Sequence, residues 1–370
     1  MRQSYVKNDI SRGADVSSGV PLCPVPDGLL YGVPGVAKQI DLDTLAQLGK
    51  KPTKNQLKMM SRAYRKAVSD SLKYRLLEVK DSPLRKSYLT STCCCGHIDQ
   101  VGQAQRTIFC NYRWCYLCNN IRAGILTNRY GPAIKSMSEP VFLTLTRPPA
   151  KRSNLKNEII DYKKCQSACF KDVRAKRIRC GRPDPVNAIS RIEANYNRNR
   201  DSYNVHSHMV IDGYDNAVLI LEQWLKKNKS ATIKAQDIRR VVNPDDMPAE
   251  MFKYFVKTIT DKPFNAVGMD GFFQATHGKR LVMTYGNIRA VSDDVVNDSD
   301  LYIDWIESKI DRHIWQGSKV RDWCSVSDGD LFSEFVADSD QDYVISNLRY
   351  KKRDKKNKRY ETKENKQVEA

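Results

Sequence analysis

The sequence has no apolar run approaching the ~20 residues that a membrane-spanning helix needs, so no spanning segment is expected. Its first residues, Met-Arg-Gln-Ser-Tyr-Val-Lys-Asn-Asp, lack the hydrophobic core of a secretory signal, and a cytoplasmic location is expected. No internal repeat is visible, which argues against a solenoid. Acidic charge is in short supply: 43 Asp and Glu stand against 62 Lys and Arg in 370 residues, a net charge of +19. Such a balance favours a polyanionic partner. In a reducing compartment the 11 cysteines are expected to be thiols, and clusters among them to be metal ligands rather than disulfides.

The charge is unevenly placed. Residues 292–342 carry 14 acidic and 4 basic side chains, residues 343–370 carry 4 and 10, and the first 291 residues hold a balance of +23. The acidic stretch reads as a surface appendage or as a shield for a basic groove. Residues 1–50 read as an irregular N-terminal segment, 51–135 as a helix followed by a cysteine module, and 136–290 as the main domain. An acidic extension over 291–345 and a basic disordered tail over 346–370 follow.

Within these bounds, Leu57, Met60, Tyr64, Ala67, Val68, Leu72 and Leu76 recur at helical spacing and predict a helix over 55–79 with its basic residues on a solvated face. Further on, strands are predicted over 141–146, 188–196, 202–211 and 237–242, and helices over 154–179 and 216–228. Another helix follows Pro248. The order β-α-β-β-α-β-α gives an α+β fold, a split βαβ arrangement around an antiparallel sheet.

Two histidines, His206 and His208, alternate along the third of these strands, so both imidazoles lie on one face. A turn at 197–201 places Glu193 of the preceding strand nearly opposite His206. Two imidazole nitrogens and a carboxylate, with coordination positions left open, suit Mn²⁺ or Mg²⁺. About 45 residues later, Glu250, Tyr254 and Lys257 share one face of the helix after Pro248, while Phe252, Phe255, Val256 and Ile259 gather opposite. A phenol is a weak nucleophile with a reference pKa near ~10, so Tyr254 would need an activated phosphate and help with its proton. Lys257 could stabilise phosphate charge and Glu250 act as a general base.

Cys115-Tyr-Leu-Cys118 forms a C-x-x-C knuckle, and Cys110 and Cys95 can complete a tetrahedral thiolate site for structural Zn²⁺; Cys93, Cys94 and His97 are possible substitutes for Cys95. Cys165 and Cys169, one helical turn apart, read as packing residues. Residues 151–182 carry 11 basic against 3 acidic side chains, and Lys279 and Arg280 could reach a DNA backbone.

Taken in order, the Cys-Gly…Cys-x4-Cys-x2-Cys module, Phe142-Leu-Thr-Leu-Thr146, Glu193 with His206-x-His208, and Glu250-x3-Tyr254-x2-Lys257 resemble a rolling-circle replication initiator. The likeness is to the plasmid Rep class of the HUH endonuclease superfamily, in which one tyrosine is paired with a glutamate. Lys279-Arg280-Leu281 with Tyr285-Gly286 is similar to the segment after the tyrosine motif in that class. The resemblance spans about residues 90–290 and departs from the usual pattern at Ser207, normally bulky and apolar, and at Asn204, often histidine. It implies an RRM-like HUH sheet preceded by the zinc module. It also implies a divalent Mn or Mg ion on Glu193, His206 and His208, and attack by Tyr254 on a single-stranded or hairpin origin to give a 5′-phosphotyrosine. Glu250 would then activate water at termination. A host helicase and DNA polymerase in a bacterial or archaeal cell are the implied partners, with no membrane. A transposase or mobilisation relaxase of the same superfamily, and a non-catalytic zinc-ribbon DNA-binding regulator, are the competing readings.

Overall fold

A computed structural model describes residues 54–102, 104–252, 265–291, 310–317 and 321–333. The N-terminal 1–50 segment, the basic tail, Tyr254 and Lys257 lie outside the described residues.

The architecture is α+β, with an antiparallel sheet and helices. Helices α1 (Lys54–Leu77) and α2 (Arg85–Thr90) lead into strands β1 (His97–Val101) and β2 (Ala104–Arg106), then helix α3 (Tyr116–Lys135). Strands β3 (Pro140–Thr146) and β4 (Ala150–Lys151) precede helix α4 (Leu155–Arg179). The hairpin of β5 (Ala188–Asn197) and β6 (Ser202–Asp212) is followed by α5 (Tyr214–Lys227) and β7 (Asp237–Arg240). Helical residues 247–252, helix α6 (Ala266–Thr276) and strands β8 (Val282–Tyr285), β9 (Asp311–Trp315) and β10 (Trp323–Ser325) complete the described chain.

The main sheet runs β7-β3-β6-β5-β8, with β4 also paired to β6. Strands β3 and β5 are each antiparallel to β6 between them, so they run parallel to one another with α4 as their crossover. Strand alternation sorts the side chains. Val141, Leu143, Leu145, Val205, Met209 and Ile211 face α4 and α5, where Ile159, Tyr162, Val173, Ile220 and Trp224 close the core. Full burial of each such side chain stabilises by roughly 1.5–3 kcal/mol. Cys169 belongs to this core and Cys165 packs against it. The opposite face carries Phe142, Ile189 and Val210, covered by Met247, Met251 and Phe252 of the 247–252 helix and by Ile134 of α3.

Ser207 sits on the α4 side with no exposure, and its Oγ lies 2.9 Å from the Tyr162 hydroxyl, which donates to the Leu145 carbonyl at 2.6 Å. A small polar residue therefore fits where a bulky apolar one would collide with Tyr162.

The second sheet runs β10-β9-β1-β2 and draws on both ends of the described chain. Strand β9 pairs with β1 through His97↔Ile314 to Gln100↔Asp311. Asp99, 2% exposed, accepts Arg312 Nε at 2.6 Å and Arg106 Nε at 3.1 Å. Trp323 is fully buried and donates through Nε1 to the Cys95 carbonyl at 2.8 Å. Residues 311–315 and 323–325, expected within a separate acidic extension, thus belong to the sheet of the cysteine module. Their strands are too short and too mixed in polarity to signal this locally.

Helix α6 joins the two parts. Its Asp270, 4% exposed, accepts the Tyr88 hydroxyl at 2.6 Å, and Arg113 donates to the Thr276 carbonyl at 2.6 Å. Among the described residues, no helix is long and apolar enough to cross a membrane.

Candidate functional site

Four thiols converge in the cysteine module: Cys94, Cys110, Cys115 and Cys118. The Sγ separations are 3.4 Å for Cys94 to Cys118, 3.7 Å for Cys110 to Cys118 and 3.7 Å for Cys115 to Cys94. Ligands ~2.3 Å from a tetrahedral zinc lie about 3.8 Å from each other, so this group could hold a metal ion such as zinc. The first ligand differs from the expected Cys95. The chain turns at Cys95 through a left-handed backbone (φ 51°), and the residue is locked there. Its N–H donates to the Ile108 carbonyl at 2.7 Å and its own carbonyl receives Trp323. Cys94 Sγ instead faces the other thiols and accepts the Cys110 N–H at 3.4 Å.

The electrostatics around the thiols are also unlike the expectation for α1. Its Lys66 and Lys73 are 1% and 0% exposed, not solvated. Lys66 Nζ binds Asp70 Oδ1 at 2.8 Å and Lys73 Nζ binds it at 3.2 Å while donating to the Ser91 carbonyl. Burial pushes Lys73 down, but Asp70 and the thiols of Cys115, Cys110 and Cys94 outweigh it and hold the ammonium firmly charged. Contact with Cys110, Cys118 and Cys94, and then Lys73, holds Cys115 well below the ordinary thiol range. A buried cation next to a group of thiolates offsets part of their negative charge.

The second cluster lies on the sheet face opposite α4 and α5. Strand pairing sets Glu193 against His206 and Arg191 against His208. Glu193 Oε2 lies 3.7 Å from His206 Nε2 and 4.0 Å from His208 Nε2, and donor atoms of all three residues fall within 4.8 Å of each other. Glu193 and His206 are each 7% exposed.

The outer nitrogens are engaged elsewhere. His206 Nδ1 is 3.1 Å from the Asn204 carbonyl and His208 Nδ1 is 3.2 Å from Thr144 Oγ1, which leaves both Nε2 atoms facing Glu193. Burial, opposed by Glu193 and reinforced by the charges of His206, Arg191 and Arg239, pushes His208 down to about 4 and keeps its ring neutral. Burial raises Glu193, but His206, Arg191 and His208 outweigh it and hold the carboxylate below its usual range. His208 and Glu193 thus stand in the protonation states that a bound divalent cation requires, and the three donor groups could hold a metal ion.

Other groups on this face escaped the sequence. Arg191 is 2% exposed and its Nη2 lies 3.0 Å from Glu193 Oε1. Its only sequence signal is the spacing of two from Glu193 on a strand. Phe142 stacks on His208 with ring centroids 5.4 Å apart, and the exposed Arg239 guanidinium lies 4.8 Å over Phe142.

Glu250, half-buried, belongs to the helical residues 247–252, whose Met247, Met251 and Phe252 dock on the same face of the sheet. Lys279 and Arg280 stand in the turn before β8, the strand that pairs with β5 through Arg191↔Val282. Their carbonyls receive Arg113 and Lys163 Nζ respectively, the latter at 2.9 Å. Burial and then the charges of Lys279, Arg280 and Arg113 push Lys163 down. Such crowding of cations favours an anionic partner. No family model, curated protein or solved structure matches this chain.

Proposed function

We propose that this protein is a replication initiator of the HUH endonuclease type. In this reading it nicks one DNA strand at a rolling-circle origin through a 5′-phosphotyrosine and rejoins it at termination. One observation carries the proposal: on paired strands, two inward imidazole nitrogens and one carboxylate oxygen converge, on the face where the Glu250-bearing helix docks.

In this reading Glu193, His206 and His208 hold a divalent Mn or Mg ion, and the Cys94 cluster holds structural zinc. The divalent ion would supply Lewis-acid polarisation of the scissile phosphate. Tyr254 Oη attacks the phosphorus; the P–O3′ bond breaks as the P–Oη bond forms, and the departing 3′ oxygen takes up a proton to become a primer hydroxyl. Lys257 steadies phosphate charge; at termination Glu250 accepts a proton from a water that cleaves the strand. The 3′ hydroxyl so freed attacks the phosphotyrosine, rejoining the DNA as the Tyr254 oxygen leaves and takes up a proton. Arg239, beside the triad, and the Lys163, Lys279 and Arg280 group supply backbone contacts to DNA. The partners are single-stranded or hairpin origin DNA, with a host helicase and polymerase, inside the cell.

The test is incubation of the protein with labelled single-stranded DNA from the element that encodes it, with Mn²⁺ or with chelator. A covalent protein–DNA product is expected only with Mn²⁺. The His206→Ala/His208→Ala double variant should form it at least ~10³-fold more slowly, since a ligand set worth about 4 kcal/mol of transition-state stabilisation is gone. Cleavage that ignores the chelator, or that survives the double substitution, overturns the proposal. DNA binding without any cleavage would favour the regulator reading instead.

A further inference from the structure

Arg191 is a guanidinium sealed into the sheet with only 2% of its surface exposed, and it touches two things that the proposed chemistry must keep together. Its Nη2 meets Glu193 Oε1 at 3.0 Å, and its Nη1 donates to the Met251 carbonyl at 3.0 Å. The remaining carboxylate oxygen, Oε2, is the one that faces His206 Nε2 and His208 Nε2. Met251 is itself 1% exposed and packs in the cluster of Phe142, Ile189 and Val210 that seats the 247–252 helix on the sheet.

We propose that Arg191 is a positioning residue with two separable tasks. It confines Glu193 to one-oxygen coordination through Oε2, and it tethers the Glu250-bearing helix to the metal-binding face. The proposal rests on the metal site of the preceding section.

The rigid planar fork of arginine suits this double engagement, because one nitrogen donates to the Met251 carbonyl while the other holds an ion pair with the carboxylate. Arg191 and Glu193 cancel in charge, so the full charge of a bound divalent ion would be felt by an incoming phosphate. Lysine offers a single strongly hydrated point charge on a flexible stem. It can follow the carboxylate, where the attraction between charges is strongest, but cannot also span to the Met251 carbonyl.

The two tasks therefore come apart in two variants. Isothermal titration with MnCl₂ reads the first, and hydrogen exchange of the peptide covering residues 247–252 reads the second. Arg191→Met should lower Mn²⁺ affinity by about tenfold or more, as loss of an outer-shell partner does. It should also speed exchange in 247–252 by about tenfold. Arg191→Lys should keep Mn²⁺ affinity within about threefold of wild type while exchanging as fast as the methionine variant. Wild-type affinity in Arg191→Met, equal loss of affinity in both variants, or unchanged exchange in both would overturn the proposal. If Arg191→Met does not fold, the split between affinity and exchange in Arg191→Lys decides alone. Wild-type protein that takes up no Mn²⁺ would instead refute the metal site itself, a result distinct from failure of the Arg191 variants.

Discussion

Cys94→Ser is expected to lose the metal of the cysteine module and Cys95→Ser to keep it, although the two residues are neighbours and both are buried. The Cys94 sulfur stands 3.4 Å from Cys118 and 3.7 Å from Cys115, at distances one tetrahedral ion would impose, whereas Cys95 is held by its own backbone bonds to Ile108 and Trp323. Structural zinc contributes about 10–16 kcal/mol of apparent binding free energy in small modules, which exceeds the stability of most domains. Losing one of four ligands should therefore unfold the module around Ile98, Leu117 and Trp323, which pack directly on the thiols. Lys66 and Lys73 sharpen the effect, since without bound thiolates two ammonium groups are left buried with Asp70 as their one acidic partner among the described contacts. Zinc content by mass spectrometry and a thermal melt check this. Full zinc occupancy in Cys94→Ser, or its loss in Cys95→Ser, would reassign the fourth ligand.

Tyr254→Phe should bind Mn²⁺ and DNA as wild type does and form no covalent product at all. The substitution removes one oxygen and no other atom, and that oxygen is the one that must bond to phosphorus. Glu250→Ala separates the second half of the reaction: attachment should continue while the water-assisted cleavage at termination fails, so that linked protein accumulates. Tyr254 follows Glu250 by four residues in sequence, and Met247, Met251 and Phe252 of the helical residues 247–252 pack against Phe142 and Val210 on the triad's face of the sheet. Denaturing gels of end-labelled DNA read both outcomes. Covalent product from Tyr254→Phe at the wild-type rate would remove Tyr254 from the mechanism.

Much of this molecule was written in local pattern. The alternation of Val141, Leu143 and Leu145 against Phe142 and Thr144 gives the strand and both its faces, and the short turn at 197–201 is enough to set Glu193 against His206. What escaped local pattern depends on the chain meeting itself at a distance. Cys93, Cys94 and Cys95 are chemically alike, and the left-handed turn at Cys95 chooses among them. Arg191 looks like any strand arginine until the 247–252 helix offers it the Met251 carbonyl. Lys66 and Lys73 look like solvated helix charges until the thiols and the Ser91 carbonyl close over them. Strands β9 and β10 owe their place to Asp99, more than two hundred residues earlier in the chain, which draws in Arg312. Ser207 becomes intelligible only with Tyr162 packed above it.

Pulsed electron paramagnetic resonance of the Mn²⁺-loaded protein tests most directly whether Glu193, His206 and His208 hold the ion. The account predicts ¹⁴N couplings from two imidazoles in the wild type and from one in His206→Ala. A Mn²⁺ spectrum with no histidine nitrogen, or one left unchanged by that substitution, would contradict it.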